Sequence, residues 1–379
     1  MKEANLILIS PEQNNNRQYL MTDLGNGFFQ AEYGRVGATM MKKKYPMTFW
    51  DEVYQKQINQ GYMDRTKDLD IKSHVTNGFR PIEDKDVSDF INFLLSCTKK
   101  KVENNYSVSH EQISEKMIEE ARRIIREISL SSELEQMKAL YIDLYKTVPR
   151  KMKEILLPVS IEAGQKMAVA EQELLDNLVT VKRTKYDERK TILESNGLEV
   201  RAVSDKEAET IRKDMGEAAV YFKRAFRVKN LKTEALYEQY CRKHGIYKPN
   251  FLYHGSANTN YWGIMTEGMS LNPNAVITGK MFGFGLYFAP KATKSIGYTD
   301  LDGSYWRKGI GDKAYLAVFK LAYKDPYHTE TCRRCQGIHE APDGKDAVFA
   351  HAGVQLRNDE VIVYHEEQAT IQYMIELHT

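Results

Sequence analysis

Short apolar runs separated by turn residues dominate the first eighty positions of the chain. Strand-like runs lie in residues 5–9, 18–21 and 28–33, and a Gly-Asn-Gly turn precedes the third run, which is typical of short strands joined by tight turns. Farther along, apolar residues recur at helical spacing up to Gly61. We therefore predict a small β-rich domain over residues 1–78, in which one helix covers a face of the sheet.

The spacing of apolar residues changes to three and four after residue 86. Four successive stripes follow this spacing, in residues 87–95, 113–128, 134–145 and 169–178. A period of about 3.6 residues is that of a helix with one buried face. The pattern predicts an all-α helical bundle over residues 86–196.

Strand patterns return in the last part of the chain. Alternating or continuous apolar runs lie in residues 198–203, 221–228, 314–322 and 360–377, and short helical segments and glycine-rich loops separate them. Strands with few long helices between them favour a mixed α+β domain with a cleft, which we place at residues 197–379. The predicted fold class is therefore a multidomain α+β chain.

Length and composition limit the number of domains, the cellular compartment and the kinds of partner that we expect for this protein. The 379 residues suffice for two or three domains, and 42% hydrophobic with 28% charged residues is ordinary globular composition. No apolar run is long enough for a signal peptide or a membrane span, so we expect an intracellular protein without membrane contact. Four cysteines fit a reducing compartment. A net charge of +2 gives no general attraction to nucleic acid, so any such binding must use a local patch.

Residues suited to chemistry collect in the third predicted domain. His254 ends an apolar strand, and the glycine-rich run at residues 279–285 leads into a strand that carries Tyr287. Lys294 follows in a helix-like turn, and Glu360 begins a strand near the C-terminus. Each feature alone occurs in many unrelated proteins. The four features in this order along the chain form a more specific pattern.

This ordered set resembles the ADP-ribosyltransferase catalytic domain of poly(ADP-ribose) polymerases. The resemblance implies that NAD⁺ is the substrate and that His254, Tyr287 and Glu360 define its pocket. It makes Glu360 the catalytic group that holds the nicotinamide-ribose hydroxyl, and it makes His254 a contact of the adenine-side ribose. Lys294 is expected to reach Glu360 or the substrate. Cleavage of NAD⁺ creates an oxocarbenium-like centre on the ribose, which a carboxylate can stabilise.

The resemblance also implies how the nicotinamide is held. The rings of Tyr287 and Tyr298 are expected to sandwich the pyridinium, for which stacking and cation–π attraction are favourable. Gly255 leaves its backbone open to the carboxamide, the hydroxyl of Ser295 can add a hydrogen bond, and Ser256 completes the predicted set of NAD⁺ contacts.

Two regions upstream are similar to further parts of the same family. Residues 140–149 and 173–178 look like the helical regulatory domain that precedes the catalytic domain. Tyr33-Gly34-Arg35 is similar to the signature of the WGR domain, with Tyr in place of Trp. Tyr33 could stack on a base and Arg35 could bind a phosphate, so DNA ends or nicks are predicted partners. The alternative is a charged strand edge that protects the sheet against aggregation.

A cluster of potential metal ligands lies in a turn-rich loop. His328, Cys332, Cys335 and His339 have the spacing His-x₃-Cys-x₂-Cys-x₃-His, which could close a tetrahedral structural Zn²⁺ site. The alternative is a surface loop with two reduced thiols, because one Cys-x₂-Cys pair is a permissive motif.

Together these features predict a DNA-break-stimulated enzyme that makes poly(ADP-ribose) on proteins, including itself, and releases nicotinamide. Such a protein would act in the cytoplasm or nucleoid of a bacterium, or in a eukaryotic nucleus. Two alternatives stay open: a mono-ADP-ribosyltransferase or NAD⁺ hydrolase with the same pocket, and a catalytically idle scaffold that binds DNA.

Overall fold

The computed structural model describes residues 2–66, 78–106, 113–183, 187–271 and 281–379. The chain forms two compact units, each built from separate stretches of sequence. The first unit takes its described residues from the ranges 1–75 and 99–182. The second takes them from 76–98 and from the chain beyond residue 183.

The first unit contains a five-stranded antiparallel sheet. Its strands are β1 (Glu3–Ser10), β2 (Asn15–Asp23), β3 (Phe28–Arg35), β4 (Met41–Pro46) and β5 (Met63–Asp64). They lie across the sheet in the order β4-β3-β2-β1-β5. The helix α1 (Trp50–Asn59) follows β4. Its Trp50 packs edge-on against Phe29, with ring centroids 5.0 Å apart, in a core that also holds Leu6 and Met21. The strands and the helix predicted for this region are therefore present.

Helices make up the rest of the first unit. They are the last residues of α2 (Lys85–Asn105), then α3 (Glu115–Leu130), α4 (Leu134–Thr147) and α5 (Ile161–Lys182). The Ser114 hydroxyl caps α3 by accepting a hydrogen bond from the backbone N–H of Met117 at 3.2 Å. Ile7 and Ile9 of β1 belong to the same hydrophobic cluster as the helices. Sheet and helices thus share a core, and the predicted division into domains 1–78, 86–196 and 197–379 stays a prediction.

The second unit is built on two sheets. The strands are β6 (Leu198–Ala202), β7 (Phe222–Asn230), β8 (Asn250–Gly255), β9 (Leu286–Phe288), β10 (Lys313–Leu321), β11 (Pro326–Thr329), β12 (Ala347–Ala350), β13 (Glu360–Val363) and β14 (Ala369–His378). The five-stranded sheet has the order β6-β7-β14-β10-β8, and the four-stranded sheet has the order β11-β12-β13-β9. Its helices are α6 (Ile192–Ser195), α7 (Asp205–Asp214), α8 (Leu231–His244), α9 (Asn258–Glu267) and α10 (Ala292–Ile296).

The two sheets of the second unit meet where β8 passes β9. Tyr253 and Ala289 exchange both backbone hydrogen bonds, each 2.9 Å long. The first part of α2 packs on the larger sheet, where the rings of Phe90 and Phe226 stack with centroids 4.4 Å apart. This mixed α+β architecture agrees with the predicted fold class at that level, and it places residues of both sheets around the junction.

No helix in the described ranges is both long and apolar enough to span a lipid bilayer.

Candidate active site

His254 occupies the end of β8, next to the junction of the two sheets. Its Nδ1 lies 3.0 Å from the backbone carbonyl oxygen of Tyr287. A carbonyl oxygen only accepts, so Nδ1 carries the hydrogen and donates it, which leaves the lone pair of Nε2 available to a ligand hydroxyl. Burial lowers the pKa of His254 below its ordinary value, although the bond to Tyr287 opposes this, so the imidazole is neutral at pH 7.

Glu360 begins β13, on the smaller sheet. Glu360 pairs with Ala350 on β12. Two residues along β13, Ile362 pairs with Tyr287 on β9. Side chains two residues apart on a strand point to the same face, so Glu360 and Tyr287 lie on one side of this sheet. Glu360 and Tyr287 are 73 positions apart in the sequence. The antiparallel pairing of β13 with β9 brings them together.

Lys294 of α10 forms an ion pair with the Glu360 carboxylate. The two side chains are only 10% and 14% exposed, respectively, so water screens this pair less than it screens a surface pair. The Lys294 ammonium group also donates to the carbonyl oxygen of Asn358, 3.3 Å away. These contacts fix the carboxylate in one position.

The hydroxyl of Tyr287 is committed to the glycine-rich loop. It accepts from the N–H of Phe282 at 3.0 Å and donates to the carbonyl oxygen of Gly283 at 2.9 Å. Gly283 has φ +85°, and a Cβ there would come within 2.5 Å of the Ile338 carbonyl oxygen. Tyr287 therefore positions the loop through its hydroxyl and leaves its ring as the surface that could contact a ligand.

Gly255 and Ser295 bring β8 and α10 into direct contact. A Cβ on Gly255 would overlap the backbone carbonyl oxygen of Ser295, so only glycine fits. The Ser295 hydroxyl is buried and donates to the carbonyl oxygen of Tyr253 at 3.1 Å, and its lone pairs remain able to accept. Ser256 lies at the edge of this group, where its hydroxyl accepts from the side-chain amide of Asn260 at 3.1 Å.

Electrostatics link the residues into one cluster. Burial raises the pKa of Tyr287 above its ordinary value, and the nearby charge of Glu360 adds to the increase. The pKa of Tyr298 is raised by the same two causes in the same order. Both tyrosines are therefore neutral phenols near one carboxylate, and the described ring contacts include none between these two rings. The fold thus brings His254, Tyr287, Tyr298, Lys294 and Glu360 together.

The family model for the poly(ADP-ribose) polymerase catalytic domain matches residues 205–306. That range includes the histidine, the tyrosines, the lysine and the serine of the cluster. The chain is therefore similar to poly(ADP-ribose) polymerases over this range. Domains of this kind use NAD⁺ as their substrate for ADP-ribosyl transfer. The match ends before Glu360, so the assignment of that carboxylate rests on its ion pair with Lys294 and its place beside Tyr287.

Several curated proteins are similar to this poly(ADP-ribose) polymerase-like chain. The uncharacterized protein 101L of invertebrate iridescent virus 6 is 32% identical over 181 residues, which cover 46% of this chain and 74% of the viral protein. Poly [ADP-ribose] polymerase 1 of rice is 28% identical over 176 residues, 39% of this chain and 17% of the rice protein. Polymerase 1 of zebrafish is 24% identical over 305 residues, 72% of this chain and 29% of the fish protein. The chain thus spans less than a third of the length of the rice protein and of the zebrafish protein.

The predicted zinc site of this polymerase-like protein is not supported. Within the described residues, no group of three or more His, Cys, Asp or Glu side chains is arranged to hold a metal ion. The histidines have other partners: His328 Nδ1 lies 2.8 Å from His351 Nε2, and His339 stacks on Phe284 with centroids 4.6 Å apart. Cys332 and Cys335 are buried in the core under the loop, whereas the alternative placed them at its surface.

The residues predicted to bind DNA lie on β3 of the first unit. The ring of Tyr33 stacks on Tyr19, with centroids 5.2 Å apart. The Arg35 guanidinium donates to the carbonyl oxygens of Asn14 at 2.7 Å, of Met152 at 3.1 Å and of Lys153. Arg35 therefore ties the sheet to the segment before α5, a role that the sequence did not reveal. Its predicted contact with a DNA phosphate stays a prediction.

Four residues near the site were not predicted from the sequence. Asn358 fixes Lys294 through its backbone carbonyl, a contact to which the side-chain type gives no clue. Tyr305, Trp306 and Arg357 form an exposed group that continues from Tyr298. The sequence Tyr305-Trp306 in a loop of polar and glycine residues was a signal for the two rings, because large aromatic residues in such a loop need a reason to be exposed.

Proposed function

We propose that this protein is an NAD⁺ ADP-ribosyltransferase that builds poly(ADP-ribose) on proteins, including itself, with release of nicotinamide, and that DNA ends or nicks stimulate it. The observation that carries the proposal is the Glu360 carboxylate, which pairs with Lys294 and lies near Tyr287, whose backbone carbonyl fixes the neutral His254. The matched catalytic domain supplies the reaction class.

The residues fit the parts of NAD⁺ by their chemistry. The free Nε2 of His254 can accept a hydrogen bond from a ribose hydroxyl, since Nδ1–H is held by Tyr287. The faces of Tyr287 and Tyr298 suit the flat, cationic nicotinamide. Gly255 has no side chain to cover its backbone groups, which can pair with the carboxamide.

Glu360 is then placed to act on the sugar. When the bond between ribose C1′ and the nicotinamide nitrogen breaks, its electron pair leaves with nicotinamide and neutralises the pyridinium. The carboxylate stabilises the positive charge that develops on the ribose. An acceptor hydroxyl oxygen forms the new bond to C1′, and its proton passes to Glu360 and on to water. Lys294 orients the carboxylate for both roles.

Stimulation by DNA is proposed for the first unit. Arg35 and Tyr33 lie on β3, and the neighbouring strand β4 carries Lys42, Lys43 and Lys44. Lysines on an edge strand next to an aromatic stack offer phosphate contacts and a surface for bases. Similarity to zebrafish polymerase 1 across 72% of this chain also favours a shared arrangement upstream of the catalytic domain.

Incubation of the full chain with labelled NAD⁺, with and without nicked duplex DNA, tests the proposal. We expect nicotinamide release that rises with DNA and a ladder of products attached to protein. A single adduct, or free ADP-ribose without adducts, would instead favour the mono-transferase or hydrolase. No nicotinamide release under either condition would contradict the enzymatic function and favour the idle scaffold.

A further inference from the structure

A cavity of about 380 Å³ lies between α7 and the larger sheet of the second unit. Its floor is a row of side chains on neighbouring strands, because Val318 of β10 pairs with Tyr253 of β8 on one side and with Tyr373 of β14 on the other. Its roof is a single face of α7, on which the lining residues follow the i, i+3, i+4, i+7 pattern: Glu207, Thr210, Ile211 and Asp214. Cavities of roughly 300 to 1,000 Å³ hold small molecules, so this one has room for a compact ligand.

The cavity is on the opposite face of the sheet from His254. Successive side chains on a strand point to opposite faces, so Tyr253 points into the cavity and His254 points away from it. Their surroundings agree with this, since Tyr253 shares a hydrophobic cluster with Ile211, whereas the ring of His254 lies near Phe288 and Phe319. A molecule in the cavity is therefore separate from the candidate active site.

The hydroxyl of Tyr253 has no hydrogen-bond partner among the described residues, although this side chain is only 6% exposed. A buried hydroxyl normally has a partner, because its removal from water without one costs free energy. The partner must occupy the cavity, as water in the free protein or as a ligand that replaces it. Burial raises the pKa of Tyr253 to about 12, and the charge of Asp214 adds to the increase, so the phenol is neutral and can both donate and accept.

Asp214 gives the cavity an available negative charge. Its side chain is exposed, and its carboxylate has no ion pair or hydrogen bond within the described ranges. The nearest basic residues of α7, Arg212 and Lys213, pair with Glu209 instead. Asp214 is also the last residue of α7, where the helix dipole is negative. Both the carboxylate and the dipole therefore favour a cation at this end of the cavity.

Glu207, the second carboxylate of the lining, is already bound. It pairs with Arg201 at 3.0 Å and with Arg227 at 3.4 Å, and it accepts a hydrogen bond from the Tyr373 hydroxyl at 3.1 Å. It precedes Asp214 by seven residues, which is roughly 10 Å along the helix. The cavity thus has a neutralised acid at one end and an available acid at the other, which suits a ligand with one positive charge.

The rest of the lining indicates an apolar body for this cation. In the part of the chain that the structure describes, no lysine, arginine or histidine lines the cavity, so an anion would find no opposite charge. The faces of Phe251 and Tyr253 attract a cation and also contact hydrocarbon, and Phe251 is 51% exposed, which leaves its ring accessible. Ile211, Val318 and Pro290 complete an apolar surface.

We propose that this cavity binds a small organic amine in its protonated form, with an aromatic or branched aliphatic body. The ammonium group donates hydrogen bonds to the Asp214 carboxylate and to the Tyr253 hydroxyl oxygen, and the body packs on Phe251 and Val318. The inference goes beyond the proposed function and does not depend on it, because no lining residue belongs to the cluster around Glu360.

A titration of the full chain with 2-phenylethylamine, followed by ligand-observed NMR, measures this binding. The matched ligand is 2-phenylethanol, which has the same body without the charge. We expect the amine to bind about three- to thirtyfold more tightly than the alcohol, the effect of one exposed ion pair and one cation–π contact. Asp214→Asn should reduce this preference, whereas Asp205→Asn, an exposed aspartate at the other end of α7, should keep it.

Tyr253→Phe tests the hydroxyl and keeps the ring. It should not change the melting temperature of the free protein, because the hydroxyl has no described protein partner to lose. It should weaken binding of the amine by about two- to twelvefold, the effect of one hydrogen bond. A lower melting temperature with unchanged amine binding would mean that this hydroxyl has a structural role, and it would contradict the inference.

Two further variants and one competitor locate the amine. Thr210→Trp fills the cavity from an exposed position of α7 and should abolish binding, and Phe251→Ala should weaken it by removing an accessible ring. Excess NAD⁺ should not displace the amine. Displacement by NAD⁺ would place the amine in the candidate active site and overturn the inference. So would equal binding of the amine and the alcohol, full binding in Thr210→Trp, or no saturable binding of the amine to the parent.

Discussion

Glu360 and His254 contribute to the candidate site in different ways. The carboxylate carries a charge that can respond to the transition state, whereas the imidazole is neutral and directs a lone pair at a hydroxyl. In the proposed mechanism the first acts mainly on the rate of bond cleavage and the second mainly on binding. Substitution of each residue should therefore change different kinetic constants.

Replacing Glu360 by glutamine removes the charge and keeps the shape. We expect kcat to fall by about 10²- to 10⁴-fold, because the ribose loses its electrostatic stabilisation, with a smaller change in KM for NAD⁺. Nicotinamide release under saturating NAD⁺ is the measurement. Glu217→Gln, an exposed glutamate elsewhere in the unit, is the matched control. Unchanged turnover in Glu360→Gln would remove this residue from the mechanism.

His254 should make stability depend on pH in a definite direction. Its pKa in the folded protein is below the ordinary value of about 6.5, so the unfolded chain binds more protons below that pH. Its contribution to stability is fully present above pH 6.5 and is lost as the pH falls from there through the lower pKa of the folded protein. Urea unfolding at pH 7.5 and 5.5 should show a smaller loss for His254→Gln than for the parent. Identical losses would contradict a buried neutral imidazole.

At the scale of elements, the site depends on how closely β8 approaches α10. Gly255→Ala places a methyl group against the Ser295 carbonyl, so strand and helix must move apart. We expect a loss of roughly 1–3 kcal/mol in the free energy of unfolding, together with loss of NAD⁺ binding. Gly353→Ala is the matched control, because its Cβ would find no atom nearer than 3.8 Å and its φ is not in the left-handed region. Chemical denaturation and NAD⁺ titration would separate the two effects.

The sequence predicted single elements better than the contacts between them. Short apolar runs between turn residues located β1 to β3. Stripes at helical spacing located α3, α4 and α5, because a helix with one buried face repeats its apolar residues at that spacing. The family resemblance selected His254, Tyr287 and Glu360, which do lie together. Ligand spacing failed for His328 and His339, because spacing does not tell which way side chains point in a folded loop. The hydrogen bond from Arg35 to the Met152 carbonyl oxygen joins residues far apart in the chain, and no local sequence pattern predicts such a contact.

At the scale of the molecule, each unit has its own buried ionic group, so the units can be probed separately. In the first unit Arg150 pairs with Glu171, and both side chains are nearly buried. Burial raises the pKa of Glu171, and the charge of Arg150 partly offsets that increase. Removing one partner from such a pair leaves a buried group without compensation.

Arg150→Met should therefore destabilise the first unit by about 3–5 kcal/mol. Hydrogen exchange followed by mass spectrometry should show faster exchange in α3 to α5, with residues 313–321 and 369–378 of the second unit unchanged. Arg189→Met is the control, because the Arg189 side chain is 90% exposed in its pair with Asp187. Equal acceleration in both units would mean that they unfold as one cooperative body.

The interleaving of the two units has a consequence for biosynthesis. Residues 76–98 belong to the second unit, yet they leave the ribosome before residues 99–182 of the first. Their apolar stripe, with Val87, Phe90 and Ile91, finds its partners only after β7 and β10 have been translated. The nascent chain thus carries this apolar segment without its β7 partner Phe226 until residue 226 has been translated, and without β10 until residue 313. Expression should consequently depend on holdase chaperones more strongly than for a chain whose domains follow one another in order.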